Sequence, residues 1–133
     1  MCGCMAVSAL MSGQAFAADP AAVAKPELVM RQTTEGMPTG KTQEIRVLTA
    51  TIAPGAKTPL HSHRFPVTVH VLEGTFTLEM EGREPMTVKA GEAWVEPPNV
   101  KMTGSNRSSS EPIKVLIFYV SDPDTPFLDP VPE

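Results

Sequence analysis

The chain has 133 residues, 41% of them hydrophobic and 5% aromatic, with 15 Asp and Glu against 11 Lys and Arg for a net charge of -4. That length fits one compact domain and leaves no room for a second. A mildly acidic balance without a basic stripe argues against nucleic acid or an anionic membrane face as partner, and no apolar run reaches the roughly 18 residues that a spanning helix needs.

Near the start, residues 5–11 (MAVSALM) form an apolar run, followed by Ser12, Gly13 and then Ala15-Phe16-Ala17. A short apolar stretch ending in small, spacer, small is the secretory cleavage pattern. Residues 1–17 therefore read as a signal peptide and the protein as periplasmic or secreted, although no Lys or Arg precedes the run. Cys2 and Cys4, the only two cysteines, fall in that leader. The mature chain then has no disulfide and no thiolate ligand, and must hold together by core burial. Residues 18–42 read as an N-terminal arm against the barrel or a neighbouring subunit, with a short strand candidate at 27–32.

Strand signals sharpen from residue 43. Residues 43–52 (QEIRVLTATI) are rich in β-branched side chains and stop at Pro54-Gly55. Residues 67–72 (VTVHVL) form a second strand that ends at Glu73-Gly74. Residues 75–81 (TFTLEME) alternate, placing Phe76, Leu78 and Met80 on one face and polar residues on the other, as in a half-buried antiparallel strand. Short strands follow at 86–89, 93–95 and 101–105, and residues 113–120 (IKVLIFYV) read as a strand buried on both faces. The 14 prolines and 9 glycines suit this pattern of short strands and turns. The tail 122–133 carries Pro123, Pro126, Pro130 and Pro132, and is expected to be extended. An all-β antiparallel barrel over residues 43–121 follows.

His61-Ser62-His63 carries the sharpest chemical signal. Two His at i and i+2 of a strand project from one face and can chelate one divalent ion. The stretch Gly55-Ala56-Lys57-Thr58-Pro59-Leu60-His61-Ser62-His63, closing at Gly74, resembles the first motif of the cupin superfamily. Gly91 through Pro97, Asn99 and Met102 to Asn106 resembles the second. The resemblance spans residues 43–120 and implies a double-stranded β-helix, or jelly-roll barrel. It also implies a homodimer, since single-barrel members often pair through an edge strand and an N-terminal arm.

The family's usual metal site is three His and one Glu. The resemblance places that Glu at Val67 and the third His at Met102, so only His61 and His63 carry over. Asn99 stands where the motif has Gly, a change that fits because Asn tolerates the left-handed conformation. Three readings of the half-site stay open. The metal site is lost and the pocket binds an organic ligand or nothing; or His61, His63 and the thioether of Met102 hold a metal, completed by water or His70; or two His and waters hold Fe, Ni or Zn weakly. A neutral imidazole–thioether set favours copper over Zn, Ni or Fe.

Met102 is otherwise an adaptable core filler. His70 lies three residues from Val67, an odd offset that points it to the opposite face unless a bulge intervenes. Glu92 and Glu96 flank Trp94 and are expected to face outward; Glu73 is expected to be solvated. Two functions fit: a divalent-metal cupin, as a metal-dependent oxidoreductase on a small organic molecule, or a non-catalytic module that binds a small ligand or copper. Either way the partner is a small molecule, not nucleic acid or membrane.

Overall fold

The computed structural model describes residues 24–132, so the leader pattern at 1–17 lies outside the described residues. Among those residues nine strands form and no helix: β1 (Glu44–Ile52), β2 (His61–Ser62), β3 (Val67–Glu73), β4 (Thr75–Met80), β5 (Met86–Lys89), β6 (Ala93–Glu96), β7 (Met102–Ser105), β8 (Ile113–Ser121) and β9 (Asp129–Pro130). They pair antiparallel in two sheets, ordered β1-β8-β3-β6 and β5-β4-β7-β2-β9. The fold is the all-β antiparallel barrel that the alternation and turn residues imply.

Turn chemistry sets where each strand stops. Gly55, Gly74, Gly82 and Gly91 all take positive φ between strands, and Asn99 takes φ 59°, the left-handed value expected where Asn stands for Gly. Asn106 clamps the loop before β8: its Nδ2 donates to the Ile52 and Glu111 carbonyls (3.0 and 2.8 Å), and its Oδ1 accepts from the Ser108 amide. Three backbone groups are thereby hydrogen-bonded by one buried side chain.

The barrel interior is filled from both sheets. Val67, Val69, Val71, Ile113, Val115, Ile117 and Tyr119 meet Phe76, Leu78, Met80, Val88 and Met102. Each such aliphatic or aromatic side chain contributes about 1.5–3 kcal/mol by leaving water. Gly104 leaves the space in which the Phe76 ring lies.

Three expectations need correction. Residues 27–32 form no strand. The backbone of edge strand β6 is met instead by one arm side chain: Gln32 Nε2 donates to the Val95 carbonyl (3.4 Å) and its Oε1 accepts from the Val95 amide (3.3 Å). Second, β8 is buried on one face only. Ile113, Val115, Ile117 and Tyr119 point inward, while Lys114 and Phe118 are exposed. Both edges of β8 are paired, to β1 and β3, but its outer face meets the arm only beside Phe118 and Val120. Third, Thr77 on the expected wet face of β4 is buried, because Arg107, Ser108 and Glu111 of the loop before β8 stand over that side.

Gly74 joins β3 to β4 at φ +79°, and a Cβ built there would lie 2.7 Å from the Pro112 carbonyl oxygen. At Gly82, φ is +73° and nothing lies within 4 Å. Gly82→Ala therefore pays only the left-handed cost of about 1–2 kcal/mol, whereas Gly74→Ala must also displace backbone. Urea unfolding of both variants is expected to show the larger loss at Gly74; equal losses would mean that the Pro112 contact is not a constraint.

Candidate functional site

His61 and His63 come from a short stretch that the barrel holds on two sides. β2 pairs with β7 through His61↔Met102, and with β9 through His61↔Pro130 and Ser62↔Asp129. The Asn99 amide donates to the His63 carbonyl at 2.7 Å, tying this stretch to the turn after β6. Both imidazoles are buried, His61 at 7% and His63 at 1% exposure, and their rings meet edge to face at 4.8 Å.

Backbone carbonyls define the ring orientation. His61 Nδ1 lies 2.7 Å from the Pro59 oxygen and His63 Nδ1 lies 2.6 Å from the Phe127 oxygen. A carbonyl can only accept, so each Nδ1 carries the proton and donates. In the neutral ring each Nε2 then presents a lone pair, the arrangement of a metal-ligating His with its other nitrogen anchored.

Glu96 contradicts the expectation that it faces outward. It is 5% exposed, and its Oε2 lies 3.3 Å from His63 Nε2. The cause is register. Glu96 at the end of β6 stands directly opposite Val67 on β3, and residues opposed in an antiparallel pair share a face. Val67 is fully buried on the inner face, so Glu96 is carried inward with it. Glu92 does face solvent, in the turn before β6, where its carboxylate accepts from the Lys89 amide. The inner face at Val67, where the resemblance puts a Glu, thus receives a carboxylate from the neighbouring strand. Its signal in the sequence was a Glu two positions beyond Trp94, in step with an inward row.

The remaining expected residues fall as follows. Met102 is fully buried and opposite His61 in register, hence on the same face, but it packs in the core and does not line the cavity. His70 is half-buried and alternates with the inward Val69 and Val71, so it points to the opposite face as its offset implied. Glu73 is exposed and accepts from Lys114 Nζ at 2.8 Å.

His61, His63, Glu96 and Thr58 line a cavity of about 120 Å³ whose other walls are apolar, among them Val67, Val69, Phe76, Val115 and Ile117. Phe127 and Leu128, just before β9, close one side. Larger grooves of about 580 and 400 Å³ run beside the arm, and neither contains a His. Phe127 also packs on His63 (4.9 Å) and edge-on against Tyr119 (5.6 Å). Burial pushes the Tyr119 hydroxyl pKa up, with the Phe65 backbone opposing; Tyr119 packs behind the cavity rather than lining it. At the rim, Arg64 donates twice to Asp129 (2.9 Å each) and holds that carboxyl below its ordinary range.

Among the described residues no group of three or more His, Cys, Asp or Glu side chains is placed to hold a metal ion as it stands. The donor set nevertheless fits a cation. A Nε2 lone pair and a carboxylate oxygen are both acceptors, and at 3.3 Å inside an apolar wall they require a proton or metal ion to share.

The chain belongs to the cupin family: the family model described as "Cupin domain" matches residues 48–119, more than half of the chain. Solved structures agree. A cupin-like protein from Thermotoga maritima is 25% identical with a TM-score of 0.55, over 65% of this chain and 64% of its own. The polyketide cyclase RemF from Streptomyces resistomycificus is 23% identical (TM-score 0.55), over 67% and 61% respectively. The DMSP lyase DddQ from Ruegeria pomeroyi is 18% identical (TM-score 0.54), over 72% and 57%. The chain thus spans less than two thirds of each of these three. No curated protein matches the sequence.

Glu96→Gln tests the acceptor conflict directly. It puts an amide N–H donor where Oε2 faces His63 Nε2, and a net hydrogen bond contributes about 0.5–1.5 kcal/mol. Metal-free Glu96→Gln protein at pH 8.5 is expected to unfold at higher urea than the parent by about that much. A loss of stability instead would mean that the pair already holds a proton.

Proposed function

We propose that this cupin binds a divalent metal ion on His61, His63 and Glu96 and presents it to a small organic molecule in the barrel cavity. The facing of His63 Nε2 and the Glu96 carboxylate, both stripped of water, carries this reading. The anchored Nδ1 groups add to it, because the rings are already turned for ligation. Folds shared with proteins named as a polyketide cyclase and a DMSP lyase support a role in small-molecule chemistry. A bound divalent ion would polarise an oxygen atom of that molecule. The protein's own contribution is to orient the two imidazoles through Pro59 and Phe127, to exclude water with the apolar walls, and to hold charge at Glu96.

The carboxylate changes which metal the site suits. Copper suits a neutral His–His–Met set, whereas a set that includes the buried Glu96 suits harder ions. Two His and one carboxylate suit Zn or Fe(II). Met102 as third ligand is a second reading, favoured by its register opposite His61.

Calorimetric titration with Zn separates these. The parent is expected to bind one ion; His61→Ala and His63→Ala to abolish binding; Glu96→Gln to weaken it by about 10–100-fold; Met102→Leu to leave it unchanged. A weakened Met102→Leu with an unaffected Glu96→Gln would transfer the third position to Met102. No binding by the parent would mean a vestigial site and a non-catalytic ligand-binding module.

Export and pairing belong to the same proposal. The outward row of β1 carries Ile45 and Val47, exposed at 72% and 58%, with Thr49 and Thr51 and no charge, beside exposed Phe118. A second copy offers the same uncharged surface, as a two-fold interface requires. Native mass spectrometry of protein recovered from a periplasmic extract is expected to give two chains, each beginning at Ala18. A monomer, or a chain that keeps residues 1–17, would overturn the corresponding part.

A further inference from the structure

The cavity is too small and too uniformly apolar for most metabolites, and those two properties together define its ligand. At about 120 Å³ it is smaller than an apolar cavity of about 150 Å³ that accepts benzene. Benzene has six non-hydrogen atoms, so this cavity takes a ligand of no more than about six. Its charge is equally restrictive. Glu96 is the one carboxylate that lines it, and no Lys or Arg does; Arg64 and Asp129 at the rim are spent on each other. A divalent ion on two neutral imidazoles and one carboxylate leaves a single net positive charge. One anionic oxygen head matches it. A second carboxylate would be buried without a partner, and an ammonium head would face the ion.

The rest of the wall offers the ligand nothing polar to bind beyond Thr58. The oxygen of that hydroxyl already accepts the Gly104 amide at 2.9 Å. Val69, Val115, Ile117, Phe76 and Leu128 complete the surface that a ligand tail would touch. Hydroxyl-rich molecules such as sugars would leave their donors unpaired here.

We infer that the cavity binds a short-chain aliphatic monocarboxylate of about six non-hydrogen atoms, its carboxylate toward His61, His63 and Glu96 and its alkyl tail against Val69, Val115 and Ile117. This rests on the metal reading above. Neither the size limit nor the aliphatic tail follows from that reading; both come from the volume and lining of this cavity.

The test uses Zn-loaded full-length protein and calorimetric titration with isobutyrate, acetate, succinate, benzoate and isobutylamine. Each buried carbon is worth about 0.8 kcal/mol, or roughly fourfold in Kd. Isobutyrate is expected to bind roughly fifteenfold tighter than acetate, and at least tenfold tighter than the other three. Val115→Ile, which fills the cavity with one more carbon, is expected to reduce isobutyrate affinity about tenfold and so to shrink its advantage over acetate, with Zn uptake as in the parent. Ile117→Val, a milder change in the other direction that frees one carbon, is expected to admit 2,2-dimethylpropionate, which has one carbon more than isobutyrate. Protein that takes up Zn but binds isobutyrate no better than acetate, or prefers succinate or benzoate, overturns this inference and leaves the metal site standing. Protein that takes up no Zn overturns both.

Discussion

The close approach of His63 Nε2 to the Glu96 carboxylate inside an apolar barrel is the interaction on which the rest of this structure depends. Desolvating two acceptors against each other is unfavourable unless a cation intervenes. The surrounding chain shows how the pair is kept in place. His63 cannot swing away, because its Nδ1–H is held by the Phe127 carbonyl and its own carbonyl accepts the Asn99 amide. Glu96 cannot leave either, because β6 is fixed to β3 on one side and bracketed by Gln32 on the other.

The C-terminal segment is therefore part of the site rather than a tail. Residues 127–130 cross the barrel beside β2, contribute two cavity walls and one hydrogen bond to His63, and are fastened at the rim by Arg64 and Asp129. That fastening is exposed to solvent on both partners, so its value is positional more than energetic. The backbone bonds do the holding: Val131 N–H to the Leu60 carbonyl, and the β2–β9 ladder. Prolines at 126, 130 and 132 restrict this segment to extended conformations, which suits a strap that adds one short strand to a sheet edge.

Much of the fold was legible in the sequence because its signals are local. Alternation at Phe76, Leu78 and Met80, turn glycines at positive φ, and Asn99 in place of Gly each act within a few residues of chain. What the sequence did not disclose depends on pairing between distant segments. The 27–32 stretch has strand-like composition, yet β6 already has its outer groups satisfied by the Gln32 side chain. Continuous apolar character at 113–120 suggested two buried faces, but one of them meets little beyond the arm. Glu96 was misplaced for the same kind of reason. Its direction is set by facing Val67, 29 positions away, and no local rule reports that register.

The same register explains how the chain can lack the family's carboxylate in the first motif and still have one in the barrel. Val67 and Glu96 are opposed across one ladder, so a side chain from either can project into the same region of the interior. Moving the acid from β3 to β6 preserves charge at the site while leaving Val67 to pack. With Met102 where a third His is expected, the barrel offers an ion fewer nitrogen ligands than the full family set. A divalent ion held by two imidazoles and one carboxylate keeps coordination positions open, as catalytic rather than structural sites do. In a cavity this small and apolar, those positions are the natural place for a ligand's oxygen atoms. With two His and its Glu on β6, the barrel would leave room at the proposed ion for one more small molecule.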